Sequence, residues 1–120
     1  MGSGTGAPDP ASALRGFMEA AKTQNIQGIS TYWGDADGTA RGRYPKLEEE
    51  QREIIMARCL RHDRYDVLGD APAVAGGRTF VISLSRPGRA ATTNVDVVPA
   101  SDHRWYVQKV DMDQLKDYCR

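Results

Sequence analysis

The pair of residues best suited to acid–base chemistry is His62 and Asp63, with Tyr65 close by in the chain. A carboxylate that orients an imidazole makes it a better base, so a catalytic dyad is one interpretation. Adjacent side chains at a helix end point apart, however, and a protonated His62 would be stabilised there by the last carbonyls of the helix. The structural interpretation is favoured, and His62 and Tyr65 remain candidate catalytic residues.

Asp35 and Asp37 lie in a glycine-rich stretch, Asp-Ala-Asp-Gly, that is similar to part of a calcium-binding loop. Hard cations need several carboxylate oxygens from one short, sharply turned segment. If Gly38 is the turn glycine, the first and last ligand positions fall on Trp33 and Tyr44, which have no carboxylate. We therefore predict a solvated turn and no metal site, and Asp35 stays a candidate acid or base.

Cys59 and Cys119 are the only cysteines of the chain. Two cysteines without C-x-x-C spacing do not supply the four ligands of a structural zinc site. A disulfide between them would close a loop of about 60 residues and remove denatured-state entropy worth roughly 4 kcal/mol. Such a bridge would also indicate an oxidising compartment. The alternative is two separate thiols, with Cys59 as a small buried apolar residue.

Large aromatic side chains could line a cavity, because aromatic walls with a polar edge suit an apolar ligand of modest size. The candidates for a ligand pocket are Phe17, Tyr32, Trp33, Tyr65, Phe80 and Trp105. The alternative is that most of these side chains only fill the core. Trp33 differs from the others in context, since it precedes Gly34 at a predicted helix end.

The charge balance excludes some classes of partner. Sixteen Lys and Arg residues offset sixteen Asp and Glu residues, which argues against a nucleic-acid-binding or polybasic membrane-surface protein.

The longest apolar run covers only residues 54–57, whereas a transmembrane helix needs about 20 residues. With 40% hydrophobic and 27% charged residues, the 120-residue chain fits one soluble globular domain. No cofactor is predicted.

The order of elements follows from hydrophobic spacing and from turn residues. Residues 1–7 are small and glycine-rich, so we expect a flexible tether or a cloning remnant there and a single domain over residues 8–120. Helices are predicted over about 10–23, 26–33 and 45–61, and strands over about 65–67, 80–84, 90–98 and 104–110. Helices followed by closely connected strands indicate an α+β fold, in which three N-terminal helices pack on a curved antiparallel sheet of about four strands.

The third predicted helix has one broad apolar face. Its apolar residues are Leu47, Ile54, Ile55, Met56, Cys59 and Leu60. Glutamates near its start and arginines near its end complement the helix dipole. We therefore predict that this apolar face is buried.

Three local patterns carry a resemblance to a known family. The first helix opens with Pro10 to Ala21 (PASALRGFMEAA), the second with Asn25 to Ile29 (NIQGI), and the last strand begins with Arg104 to Val107 (RWYV). Over about residues 8–110 the chain resembles the nuclear transport factor 2-like superfamily, a cone-shaped α+β fold. It looks like the exported or lipid-anchored bacterial members, and the resemblance implies a homodimer formed through the sheet.

The resemblance leaves two functions open. Isomerase members of the superfamily use a tyrosine of the first helix, where this chain offers Phe17, so that site is not carried over. The leading hypothesis is an exported, non-enzymatic domain of the cell envelope that binds a small apolar ligand or a partner protein. The alternative is an isomerase- or dehydratase-like enzyme that uses Asp35, His62 or Tyr65. A cytoplasmic location also stays open.

Overall fold

The first helix begins where the sequence supplies both a cap and a suitable first residue. Asp9 accepts a hydrogen bond from the Ser12 amide at 2.7 Å. Pro10 occupies the first turn, where the missing amide proton removes no intrahelical hydrogen bond. Leu14 and Phe17 are buried one turn apart, so the helix packs through one face.

The computed structural model describes residues 4–119, in which most of the helical residues precede a sheet. The elements are α1 (Pro10–Lys22), α2 (Ile26–Tyr32), β1 (Gly34–Asp35), β2 (Gly38–Thr39), α3 (Lys46–Cys59), β3 (Arg64–Pro72), β4 (Arg78–Arg86), β5 (Arg89–Pro99), β6 (Trp105–Val110) and α4 (Lys116–Cys119). Short 3₁₀ turns cover Val74–Gly76 and Met112–Leu115.

The main sheet is antiparallel in the order β3-β4-β5-β6, and β1 pairs with β2 in a separate sheet of two strands. Gly88 turns the chain between β4 and β5 with a φ of +77°, a conformation that suits glycine. Phe80 and Ile82 lie in a core shared with Phe17 and Met18 of α1. The α+β class and the antiparallel sheet of four strands are confirmed.

The segment before α1 packs against the sheet, which differs from the flexible tether predicted for residues 1–7. The Ala7 amide donates to the Trp105 carbonyl at 3.0 Å, and the Trp105 amide donates to the Ala7 carbonyl at 2.8 Å. The Thr5 hydroxyl and the Tyr106 hydroxyl lie 2.9 Å apart in a buried hydrogen bond. Thr5 to Ala7 therefore belong to the fold, because their small side chains let the backbone reach β6. Residues 1–3 lie outside the described residues.

Helix α3 presents much of its apolar surface to solvent, which differs from the prediction of one broad buried face. Leu47 is 69% exposed and Ile55 is 55% exposed. The helix packs against α1, α2 and α4, and its buried residues include Glu53 and Ala57, which lie one turn apart. The predicted buried face is therefore wrong at Leu47, Ile54 and Ile55, which remain exposed. The helix buries the acid Glu53 in their place.

The C-terminal segment is tied both to α3 and to the β4–β5 hairpin. Cys59 and Cys119 form a disulfide with their Cα atoms 4.4 Å apart, so the predicted bridge is confirmed and the alternative of two free thiols is wrong. Arg86 donates a hydrogen bond to the Tyr118 carbonyl, and Arg89 donates one to the Asp117 carbonyl, each at 2.6 Å. Two parts of the fold therefore hold α4 in place.

Candidate functional site

A groove of about 380 Å³ runs between α2 and α3. This volume lies within the range of about 300–1,000 Å³ that is usual for small-molecule sites. The groove is lined by Ile26, Gln27, Ser30, Arg41, Lys46, Glu49, Glu50, Glu53 and Ile54. Apolar walls therefore lie beside several charged groups.

Glu53 is the buried charged group of this groove. Its residue surface is only 4% exposed, and its Oε2 atom finds no hydrogen-bond partner within residues 4–119. Burial is the main cause that raises the pKa of this carboxyl to about 7, and the negative charge of Glu49 adds to the effect. At neutral pH the carboxyl is therefore about half ionised, whereas an ordinary glutamate is fully ionised.

Arg41 is the cation whose charge opposes the raised pKa of Glu53. Its Nε donates to the Ser30 hydroxyl at 2.9 Å, and its Nη2 donates to the Thr31 hydroxyl at 3.1 Å. Ser30 in turn donates to the Gln27 carbonyl at 2.9 Å. The guanidinium is therefore held along α2, and within the described part of the chain no ion pair joins it to Glu53.

The two other glutamates of the groove differ in their surroundings. One carboxylate oxygen of Glu49 accepts a hydrogen bond from the Gly42 amide at 2.9 Å, which ties the loop before α3 to the helix. Glu50 is exposed, and so is Lys46 at the start of α3. Glu53 alone among these side chains combines burial with an oxygen that accepts no hydrogen bond from the described residues.

His62 lies just beyond the end of α3 and is buried, with 2% of its surface exposed. The Nδ1–H donates to the Leu60 carbonyl at 2.8 Å, since that oxygen can only accept. The ring of Tyr65 meets the imidazole edge-on, with ring centroids 5.4 Å apart. Burial lowers the pKa of His62, which favours the neutral ring. In a catalytic dyad a carboxylate would accept the hydrogen bond from Nδ1–H, whereas here the Leu60 carbonyl accepts it.

Asp35 lies in β1 and has its own partners. It forms an ion pair with Arg43 and accepts a hydrogen bond from the Asp37 amide at 2.8 Å. Burial opposes the change, but these hydrogen bonds lower the pKa of Asp35. No hydrogen bond or ring contact among residues 4–119 joins Asp35 to His62 or Tyr65, so the structure does not bring the three candidate catalytic residues together.

The aromatic candidates mostly contribute to the core. Phe17, Trp33 and Phe80 belong to the buried cluster, and Tyr32, Tyr65 and Trp105 pack against it. None of the six lines the α2–α3 groove.

Trp33 also borders a smaller groove of about 210 Å³. Its ring stacks on that of Tyr44 with centroids 5.6 Å apart, and the Arg52 guanidinium lies 4.6 Å from the Tyr44 ring centre. The Tyr44 ring therefore contacts both the Trp33 ring and the Arg52 guanidinium, and these contacts stabilise the loop before α3.

The α2–α3 groove was not predicted from the sequence. The available signal was Glu53 itself, because it is the only acid between residues 51 and 60 and is followed directly by Ile54, Ile55, Met56 and Ala57. An acid at the edge of an apolar run is ordinarily solvated. Only the packing of α2 against α3 shows that this carboxyl is buried.

Every helix within residues 4–119 falls short of the length and apolar character that crossing a membrane requires. Among the same residues, no group of three or more His, Cys, Asp or Glu side chains could hold a metal ion. Comparisons with protein-family models, curated proteins and solved structures find no match to the chain.

Proposed function

We propose that the chain is a non-enzymatic binding domain whose small ligand occupies the α2–α3 groove. The observation that carries this proposal is the buried Oε2 atom of Glu53, which accepts no hydrogen bond from residues 4–119. A buried polar atom left without a partner costs about 1–3 kcal/mol, and more if it is charged. A ligand that donates a hydrogen bond to Glu53 would remove this cost.

The groove also has the shape and the walls of a ligand site. Ile26 and Ile54 offer apolar surface on either side, while Gln27 and Ser30 offer polar groups of α2. A ligand with an apolar part and a hydrogen-bond donor fits such a groove better than a wholly apolar molecule. The aromatic pocket expected from the sequence gives way to this site, because the aromatic side chains pack in or against the core.

The proposal can be tested by NMR with a library of small fragments on the oxidised protein. We expect ligands to shift the amide resonances of residues 26–30 and 46–54. The Glu53→Gln variant should bind the same ligands more weakly. Glu48→Gln is the matched control, because Glu48 pairs with Arg52 on the same helix and lies outside the groove. Fragments that bind both variants as they bind the parent protein would contradict the role of Glu53.

The alternative function is an isomerase- or dehydratase-like enzyme. The observation in its favour is the pKa of Glu53 near 7, because a general base works best when its pKa is close to the working pH. The double variant Asp35→Asn/His62→Gln tests two of the catalytic residues predicted from the sequence. If fragment binding and any detected turnover are unaffected by the double change, a catalytic site built on Asp35 and His62 is excluded.

Membership of the nuclear transport factor 2-like superfamily remains part of the proposal. The α+β class and the antiparallel sheet of four strands support it. A homodimer through the sheet follows from the same resemblance, and light scattering after size-exclusion chromatography would give the mass. A monomer at high concentration would contradict the dimer.

We also propose an exported location. The Cys59–Cys119 disulfide supports this proposal, because disulfides persist in oxidising compartments and are rare in the cytosol. The test is the thiol state of the protein from its native source after rapid alkylation. Free thiols in that sample would contradict export.

A further inference from the structure

The chemistry around Glu53 restricts the donor that can meet it. Three glutamates of α3 line one groove, and the negative charges of Glu49 and Glu50 both raise the pKa of Glu53. A positively charged donor would offset this repulsion as well as satisfy Oε2. A neutral donor would satisfy the oxygen and leave the repulsion in place.

The cations of the groove leave room for an external one. Arg41 directs its guanidinium to the hydroxyls of Ser30 and Thr31. Lys46 is exposed, and it lies four residues before Glu50, the less favourable order for a helical ion pair. No ion pair of Glu53 is found within residues 4–119, so neither cation neutralises it directly.

The form of the donor follows from the number of oxygens to be satisfied. A guanidinium prefers both oxygens of a carboxylate in a bidentate pair, whereas an ammonium is a compact charge that needs only one. Of the two carboxylate oxygens of Glu53, Oε2 is the one that is both buried and without a hydrogen-bond partner among residues 4–119. Ile26 and Ile54 then supply apolar walls for the carbons attached to the nitrogen.

From this arrangement we infer that the α2–α3 groove binds a primary ammonium group carried on a short alkyl chain, with Glu53 as its counter-ion. The inference rests on the proposed binding function and gives its ligand a chemical class. A free aliphatic diamine and a lysine side chain present the same chemistry, so the experiment must separate these two sources.

Binding of such a cation depends on pH in a defined direction. The groups that face Glu53 are Glu49 and Glu50 of α3 and Arg41 of the preceding loop, with Lys46 further along the groove. The ammonium stays protonated up to about pH 10, so only ionisation of the site changes between pH 5 and 7. With a pKa of about 7 for Glu53, affinity should rise over this interval by at most about 50-fold, which is the increase in the ionised fraction of the carboxyl.

The experiment is an NMR titration of the oxidised chain with 1,5-diaminopentane and, separately, with Nα-acetyl-lysine N-methylamide. We expect saturable shifts at residues 26–30 and 46–54, with an affinity that rises from pH 5 to 7. Stronger binding of the diamine indicates a free amine as the ligand, and stronger binding of the lysine derivative indicates a protein side chain. 1-Pentanol, which has no charge, should bind at least tenfold more weakly.

Two variants complete the test. Glu53→Gln should lower the affinity for either amine by roughly tenfold or more and abolish its pH dependence, while Glu48→Gln should leave both unchanged. The pH dependence of the parent protein gives the same test if Glu53→Gln does not fold. Amine affinity that is independent of pH and of Glu53 would overturn the inference. If uncharged fragments bind through Glu53 and amines do not, the inference fails while the proposed function stands; if nothing binds the groove, both fail.

Discussion

At the scale of single residues, Glu53 combines properties that rarely occur together on a helix surface. Its neighbour Ile54 is exposed, whereas the carboxyl is buried and its Oε2 atom has no hydrogen-bond partner within residues 4–119. Exposed apolar surface next to a buried acid is unfavourable for an isolated domain. Both features become favourable when a ligand with an apolar chain and a donor group fills the groove.

The raised pKa of Glu53 predicts how stability changes with pH. A carboxyl whose pKa is about 7 in the folded state and near 4.5 in the unfolded state binds more protons when folded. Its contribution to the free energy of unfolding is therefore greatest below pH 4.5 and declines as pH rises to 7 and above. We expect the melting temperature of the parent protein, relative to that of Glu53→Gln, to fall between pH 5 and 8.

His62 acts in the opposite sense and must be separated from Glu53. Its lowered pKa means that its contribution is present above pH 6.5 and is lost as pH falls towards the folded-state pKa. Because both proteins retain His62, this contribution cancels when Glu53→Gln is compared with its parent. A difference in melting temperature that is constant from pH 5 to 8 would contradict the assignment to Glu53.

At the scale of elements, the backbone of residues 4–7, the N-terminal arm, approaches β6 of the main sheet closely. Gly6 has a φ of +74°, and a Cβ atom there would lie 2.7 Å from Cβ of Arg104 and 2.8 Å from Cζ of Tyr106. Gly4 has a similar φ of +72° but nothing within 4 Å of such an atom. The two glycines therefore separate backbone strain from crowding.

Substitution of these glycines tests whether the arm belongs to the fold. Gly4→Ala should cost about 1 kcal/mol, because L-residues are strained in the left-handed region. Gly6→Ala should cost a further 1–3 kcal/mol, because the neighbouring side chains must also move. Urea unfolding measures both values. Equal costs for the two variants would indicate that the arm does not pack against β6.

Hydrophobic spacing predicted the buried face of β4 from the sequence, but it did not predict the buried face of α3. Phe80, Ile82 and Leu84 are large apolar residues at every second position of β4, and all three are buried. This spacing of two predicts a strand with one buried face. In α3, neighbouring apolar residues such as Ile54 and Ile55 point in directions about 100° apart, so their spacing leaves the buried face undecided. Ala57, which is small enough for a close helix approach, and the position of α2 decide the outcome.

At the scale of the whole molecule, the disulfide joins α3 to the end of the described chain. The presence of only two cysteines predicted this bridge. The two residues are 60 positions apart in the sequence, and the fold brings their Cα atoms to 4.4 Å. The groove was not predictable in the same way. It exists only because α2 and α3 pack with Glu53 between them, and no local pattern specifies this long-range contact.

The disulfide predicts a large effect of reduction on stability. Closing a loop of this length removes conformational entropy from the unfolded chain that is worth roughly 4 kcal/mol. Reduction should therefore lower the free energy of unfolding by about 2–4 kcal/mol. Urea unfolding with and without a reductant measures the change. The Cys59→Ser/Cys119→Ser variant should match the reduced protein and should not respond to the reductant. An unchanged midpoint on reduction of the parent protein would show that the bridge contributes no stability.

The measurement that tests the account most directly is a ¹³C NMR titration of the Glu53 side-chain carboxyl, with and without 1,5-diaminopentane. Without the diamine we expect a pKa of about 7, because the carboxyl is buried beside Glu49 and Glu50. With the diamine bound, the pKa should fall towards the ordinary value of a glutamate, because an adjacent cation stabilises the ionised form. A carboxyl that titrates near 4.5 in the free protein, or whose pKa the diamine leaves unchanged, would contradict the assignment of this groove as a cation-binding site.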